Sequence, residues 1–185
     1  MKKIDIKPDT LLYPAPAVLV SCGDNSNNNN IITLAWTGVV CSEPPMLYIS
    51  VRSGRYSFEM IKNTGDFVVN LPTEKLAHAV DFCGVKSGRD VDKFKHLGLT
   101  PEKSSKIISP YIKEAPLSLE CKIKNTLPLG SHHMFIADIV GVIANEDLLD
   151  DKGKLRLSKA DLMCCIQNEY WSLNKCLGFF GFSLK

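Results

Sequence analysis

The chain has 185 residues, 45% hydrophobic and 23% charged, with a formal net charge of +2. That balance suits a soluble globular chain with an ordinary core, and the scattered lysines argue against the basic stripe that a nucleic-acid partner needs. The apolar run 135–144 is broken by Asp138 and is too short to span a bilayer, and no apolar signal segment precedes Asp5 and Asp9, so neither membrane nor secretory targeting is expected.

In chain order, residues 17–22 read as a first strand. Gly23-Asp24-Asn25-Ser26 and the four asparagines that follow predict a turn, because Gly, Asn and Asp tolerate left-handed backbone angles. Residues 31–40 form the next strand, so the chain opens on a hairpin. Pro44 and Pro45 cannot donate to a ladder and mark the start of a third strand, 46–51. Residues 56–63 carry Phe58 and Ile61 at helical spacing, with Met60 beside them, and end near Gly65; this predicts a short helix with a glycine C-cap. Ser53 or Ser57 is placed to cap its start. A strand at 67–71 and a second helix at 76–82 follow, then the polar loop Lys86-Ser87-Gly88-Arg89-Asp90.

The stretch 92–116 is irregular, with Gly98, Pro101, Pro110 and Pro116. Leu117, Leu119, Cys121 and Ile123 then alternate with Ser118, Glu120, Lys122 and Lys124, the period of a strand with one buried and one wet face. Residues 135–144 are apolar on both faces, which suits a strand inside a barrel or at a subunit contact. Residues 147–157 predict a hairpin-like connection through Asp151-Lys152-Gly153. The aromatic, glycine-rich tail, 170–185, must pack on its own barrel or on a second copy. Strands dominate, so the fold class is mainly β: a closed or nearly closed antiparallel β-barrel with inserted helices. A regular β-α alternation, a dinucleotide glycine fingerprint and a P-loop lysine are all missing.

The seven cysteines are odd in number and match no C-x-x-C template, so they read as free thiols in a reducing, cytoplasmic setting. Cys83, beside Gly84, is the one placed for reactivity, if its thiol is unusually acidic. Four clusters can carry chemistry. Thr33-Leu34-Ala35-Trp36-Thr37 places an indole between two hydroxyls; taken alone it reads more readily as an ordinary half-buried strand. Ser50-Val51-Arg52, with Arg55, Tyr56 and Ser57 at a helix start, makes a competent phosphate site or a solvated turn in equal measure. Lys86-Ser87-Gly88-Arg89 with Lys93 would clamp the same phosphate, or form a charged loop. In Gly130-Ser131-His132-His133 the adjacent imidazoles point to opposite faces of a strand, which makes a poor metal pair. No metal site is expected.

Taken in order, these stretches resemble the flavin reductase-like family, which includes flavoredoxins and the reductase components of two-component monooxygenases. The resemblance rests on Thr33-Leu34-Ala35-Trp36-Thr37, Glu43-Pro44-Pro45, Ser50-Val51-Arg52 with Arg55-Tyr56-Ser57, and Phe67-Val68-Val69-Asn70-Leu71-Pro72. It continues through Cys83-Gly84, Ser87-Gly88-Arg89-Asp90, Asp92-Lys93-Phe94, Gly98-Leu99-Thr100, Glu120-Cys121, Gly130-Ser131-His132, Phe135-Ile136 and the ending Leu177-Gly178-Phe179-Phe180-Gly181-Phe182. It covers nearly the whole chain. Ser131 stands where the family usually has aspartate, and Ala137-Asp138 where Gly-Glu is common.

The resemblance implies an FMN-binding split β-barrel, one domain over residues 1–185, that pairs as a homodimer. It implies that Thr33, Leu34, Ala35, Trp36 and Thr37 line the isoalloxazine, with Ser50, Arg52 and Ser57 toward the ribityl phosphate and Val51 between them in the cofactor-binding stretch. Lys86, Ser87 and Lys93 are further phosphate candidates, and His132 approaches the ring or a partner chain. The implied activity is electron transfer from NAD(P)H through FMN to a flavin or another acceptor. The alternative is a flavoredoxin-type carrier fed by a protein electron donor. A monooxygenase is a candidate partner.

Overall fold

A computed structural model of the chain describes residues 1–24 and 28–184. Strand β1 (Ala15–Pro16) is followed by β2 (Val18–Gly23) and β3 (Asn29–Leu34), which pair as the expected hairpin. The middle of its predicted turn, residues 25–27, lies outside the described residues. The single strand expected over 31–40 is two strands. The ladder stops after Leu34, Ala35 and Trp36 cross over, and β4 (Thr37–Ser42) starts on the far edge of the sheet. Strand β5 (Pro45–Val51) begins at the double proline as expected.

Helix α1 (Tyr56–Thr64) ends on Gly65 in the left-handed conformation, φ 73°. Neither Ser53 nor Ser57 caps it. Arg55 occupies the N-cap with no side-chain bond, because the Ser57 hydroxyl is turned inward to accept from Asn30 Nδ2 at 2.8 Å. Next come β6 (Asp66–Leu71), a single 3-10 turn at Glu74–Leu76, and α2 (Ala77–Val85), which ends three residues later than the sequence predicts. Within the irregular stretch lies a short α3 (Lys93–Leu97), capped by the Asp92 carboxylate and closed by Gly98 at φ 64°. Two short strands, β7 (Pro101–Glu102) and β8 (Tyr111–Ile112), pair with each other. Two long strands follow, β9 (Leu117–Leu129) and β10 (His132–Ala144). The chain finishes on β11 (Met163–Ile166) and β12 (Glu169–Ser172), which form a small sheet with β1. The 147–157 connection is hairpin-like, with Leu149 bridged to Leu155.

The main sheet runs β3-β2-β6-β9-β10-β5-β4. Its two edges are consecutive in the chain, joined only by Ala35 and Trp36. Laid flat, seven strands would hold those edges roughly 29 Å apart. A two-residue link spans only about 10 Å. The sheet therefore curls into a barrel, and Ser50 N donates to Trp36 O at 2.9 Å, carrying the β4–β5 ladder right up to the crossing. Val18, Val20, Cys22, Ile49, Val51, Phe67, Phe135 and Ala137 fill the inside, with Phe58 and Ile61 of α1. Ala17, Leu19 and Ile31 face outward and are covered by Ala79, Val80 and Cys83 of α2 and Phe94 of α3. Strand β2 is thus buried on both faces, which is why it reads as an unbroken apolar run.

The expected wet face of β9 holds only from Lys122 on. Ser118 and Glu120 are buried, because residues 104–112 fold back over them. Three buried polar side chains hold that segment. Asp66 accepts from Ile108 N and Ser109 N, and Glu120 from Ser105 N and Oγ. Asn70 donates to Leu19 O and Ser21 Oγ and accepts from Ile112 N and Ser118 Oγ, each at 2.8–2.9 Å. On the outer surface, β4 exposes Val39 and Val40, β10 exposes Val140 and Val142, and the tail exposes Leu177, Phe179, Phe180 and Phe182. Of the two readings of 135–144, the inner face fits a barrel wall and the outer half stays apolar and uncovered.

Asn70→Ala removes a fully satisfied buried amide and leaves Ile112 N and Ser118 Oγ without their acceptor. A loss of roughly 2–4 kcal/mol is expected in urea unfolding, read as a lower midpoint at unchanged slope.

Candidate functional site

Three cavities run in series along the barrel seam. The first, about 160 Å³, is enclosed by Asn30 and Ile32 of β3, the Gly54–Ser57 turn into α1, Cys83 near the end of α2, the loop 86–89, and Lys93. The loop can lie there because residue 88 is glycine. A Cβ at that position would meet Asn30 Oδ1 at 2.3 Å and the Tyr56 ring at 2.6 Å. Arg89 Nη1 donates to Gly54 O at 3.2 Å while its guanidinium lies 5.3 Å over the Tyr56 ring. Arg55 Nη1 donates to Gly84 O at 3.3 Å.

Lys93 is the most unusual member. It is 3% exposed, and its Nζ donates to Ile31 O at 2.7 Å and Cys83 O at 2.9 Å. Burial pulls its ammonium below the usual lysine value, and the Arg55 guanidinium adds to that. Four cations, Arg55, Lys86, Arg89 and Lys93, line this cavity, and none of its lining residues is acidic. Such a space favours an anion. Cys83 is not a reactive thiol: it is buried, and burial pushes its pKa up to about 11.

The second cavity, about 180 Å³, shares Ile32 and Arg55 with the first. Thr33, Leu34, Ala35, Trp36, Ser50, Arg52 and His132 complete its lining. The Thr33 hydroxyl donates to Val80 O and the Thr37 hydroxyl to Tyr48 O, so both protons are engaged within the protein. Trp36 stays out of the core, 40% exposed, with its ring 4.5 Å from that of His132. Partial burial lowers the His132 pKa, as does the Arg52 charge. His133 points the other way, 4.8 Å from the Phe58 ring, as adjacent strand residues must.

The third cavity, about 610 Å³, shares Ala35, Trp36 and Ser50 with the second. Leu11, Leu12, Pro14, Tyr48 and Met134 give it an apolar wall. Together the cavities make one groove, cationic at one end and apolar at the other.

This groove brings the sequence-predicted residues together. Ser57, Lys86, Ser87 and Lys93 lie at the cationic end, Thr33, Leu34, Arg52 and His132 in the middle, and Thr37 at the apolar end. Ala35, Trp36 and Ser50 join the middle to the apolar end. Val51 does not join them: its side chain is buried in the barrel core. Sequence reasoning missed Asn30, Tyr48, Met134 and the arm Asp9–Pro16. Tyr48 had a signal, since it shares a strand face with Ser50 two residues on. The arm had none, because its position depends on tertiary packing.

Residues 10–158 match the family model of the flavin reductase like domain. An uncharacterized protein of Archaeoglobus fulgidus is 32% identical over 76% of this chain and 78% of its own. Among solved structures, the flavoredoxin of Desulfovibrio vulgaris (Miyazaki F) superposes with a TM-score of 0.91 at 32% identity, both chains covered in full. A flavoredoxin from Methanosarcina acetivorans does so at 0.89 and 29%, again over both whole chains.

Gly88→Ala forces the 86–89 loop away from Asn30 and Tyr56. Thermal unfolding is expected to show a loss of roughly 1–3 kcal/mol, the range for overpacking at a close contact.

Proposed function

The chain belongs to the flavin reductase like family, and on that footing we propose that it binds FMN along the seam groove and passes electrons from NAD(P)H to a flavin or another acceptor. The observation that carries this reading is the groove's polarity. Arg55, Lys86, Arg89 and Lys93 suit a terminal phosphate, and the Trp36, Tyr48 and Met134 end suits a flat ring. A bound flavin would supply the redox chemistry. The protein's share is to hold it, orient it and exclude water. In this reading Arg55, Lys86, Ser57 and Ser87 hold the phosphate. The backbone of residues 33–37 lines the ring edge, since the Thr33 and Thr37 protons are taken up internally. Ser50, Arg52 and His132 face the span between. Val51 contributes through its backbone alone.

A flavoredoxin-type electron carrier is the second reading, supported by the two flavoredoxins matched over their full length. It retains the FMN site but takes electrons from a protein donor. We further propose a single unit over residues 1–185 that works in the cytoplasm as a homodimer. The uncovered Val39, Val40, Val140 and Val142 and the aromatic tail support that pairing. A monooxygenase fits as a recipient of the reduced flavin.

Purified protein loaded with FMN is expected to bleach under anaerobic mixing with NADH or NADPH. No bleaching with either would favour the carrier reading. Arg55→Ala is expected to weaken FMN by about tenfold or more while leaving riboflavin nearly unchanged, because only FMN carries the phosphate charge. Equal losses for both ligands would mark the arginine as structural.

A further inference from the structure

Lys93 sits at the first position of α3, where the Asp92 cap and the Phe94 contact fix it. Its two bonded carbonyls come from separate elements, Ile31 of β3 and Cys83 at the end of α2. A neutral amine keeps both bonds with its two N–H groups. An ammonium carries a third N–H, and no acceptor among the described residues takes it. Lys93 lines the cationic cavity, so an anion held there is positioned to complete the set.

We infer that anion binding in the first cavity is coupled to protonation of Lys93, which acts as a positioning cation beneath the phosphate. This rests on the proposed FMN site and specifies how that site responds to pH. The balance is simple: in the pH window where the empty site holds the free amine, that amine takes one proton from water or buffer as the anion arrives, and releases it as the anion leaves. The groups facing Lys93 are the Cys83 thiol from α2, the Cys22 thiol from β2 and the Arg55 guanidinium ahead of α1. Lys86 and Arg89 share the cavity from the loop. Burial holds the Cys83 and Cys22 thiols up at about 11 and about 12, so both stay neutral through the relevant range. Arg55, Lys86 and Arg89 favour the amine while the cavity is empty, and a phosphate dianion reverses that preference.

The sign follows. In the empty site the lysine loses its proton below its ordinary value. The cost of burying the charge is present at lower pH and fades as pH rises toward that value. Bound phosphate restores the ammonium. FMN affinity is therefore expected to fall with rising pH across this window, by up to about tenfold per unit, the slope of one linked proton.

The test is calorimetric titration of the full chain with FMN and with riboflavin near pH 9. That pH is well above the second phosphate ionisation, about 6, and below the ordinary lysine value, about 10.4. Two buffers of different ionisation heat report the protons exchanged. The expected result is a measurable fraction of a proton taken up with FMN and none with riboflavin, whose ring is the same. Lys93→Met, which retains the buried stem, is expected to abolish the uptake. FMN binding with no more uptake than riboflavin, or uptake that survives in Lys93→Met, overturns the inference while leaving the FMN site standing. If Lys93→Met fails to fold, the two ligands compared on the unaltered chain decide the matter. FMN that fails to bind at all overturns the proposed function, and this coupling with it.

Discussion

Everything in this molecule depends on the two-residue crossing at Ala35 and Trp36. It obliges the first and last strands of a seven-stranded sheet to meet. Closure of that kind usually removes sheet edges. Here it is incomplete. The edge strands β3 and β4 share no ladder, and the second cavity opens there, between the end of β3 and Ser50 of β5. The same constraint that shapes the barrel therefore makes the site, and places Thr33, Ala35, Trp36, Ser50 and Arg52 around one opening.

The groove's cationic end is held from outside the barrel. Asp66, Asn70, Ser118 and Glu120 are buried and bonded, largely to the backbone of residues 105–112. That segment packs below α3, whose Phe94, with Leu99 just past the helix, joins Ile112 in the outer core. With α3 fixed, the Lys93 stem threads between β3 and α2. Lys93 and Arg55 meet the last carbonyls of α2, at Cys83 and Gly84, and so offset the negative end of that helix. Without them, those carbonyls would oppose any anion brought to the loop.

Much of this was legible in the sequence, and the failures have physical causes. The glycine stop at Gly65, the double proline and the opposed histidines follow local rules and held, whereas the serine cap expected for α1 did not, because Ser57 turns inward to Asn30. The residues singled out in the ordered clusters line the groove, apart from Val51, whose strand alternation turns it inward. Ser118 and Glu120 misled because alternation reports polarity, and a polar face is wet only if nothing folds over it. The strand expected over 31–40 misled because Thr, Trp and Val suit a strand throughout. Only the topology shows that the chain changes edges at Ala35. Asn30 and the N-terminal arm left no local trace, since both matter through what they meet across the fold.

The concentration of charge at one end of the groove has a kinetic side. Four cations share one cavity, yet the whole chain carries a net charge of only +2. Their field is offset by carboxylates elsewhere and fades within about 8 Å at physiological salt. An anion would therefore feel this cluster chiefly within about that distance, where the cleft concentrates the field. Occupancy of such a site is set mainly by how slowly the ligand leaves.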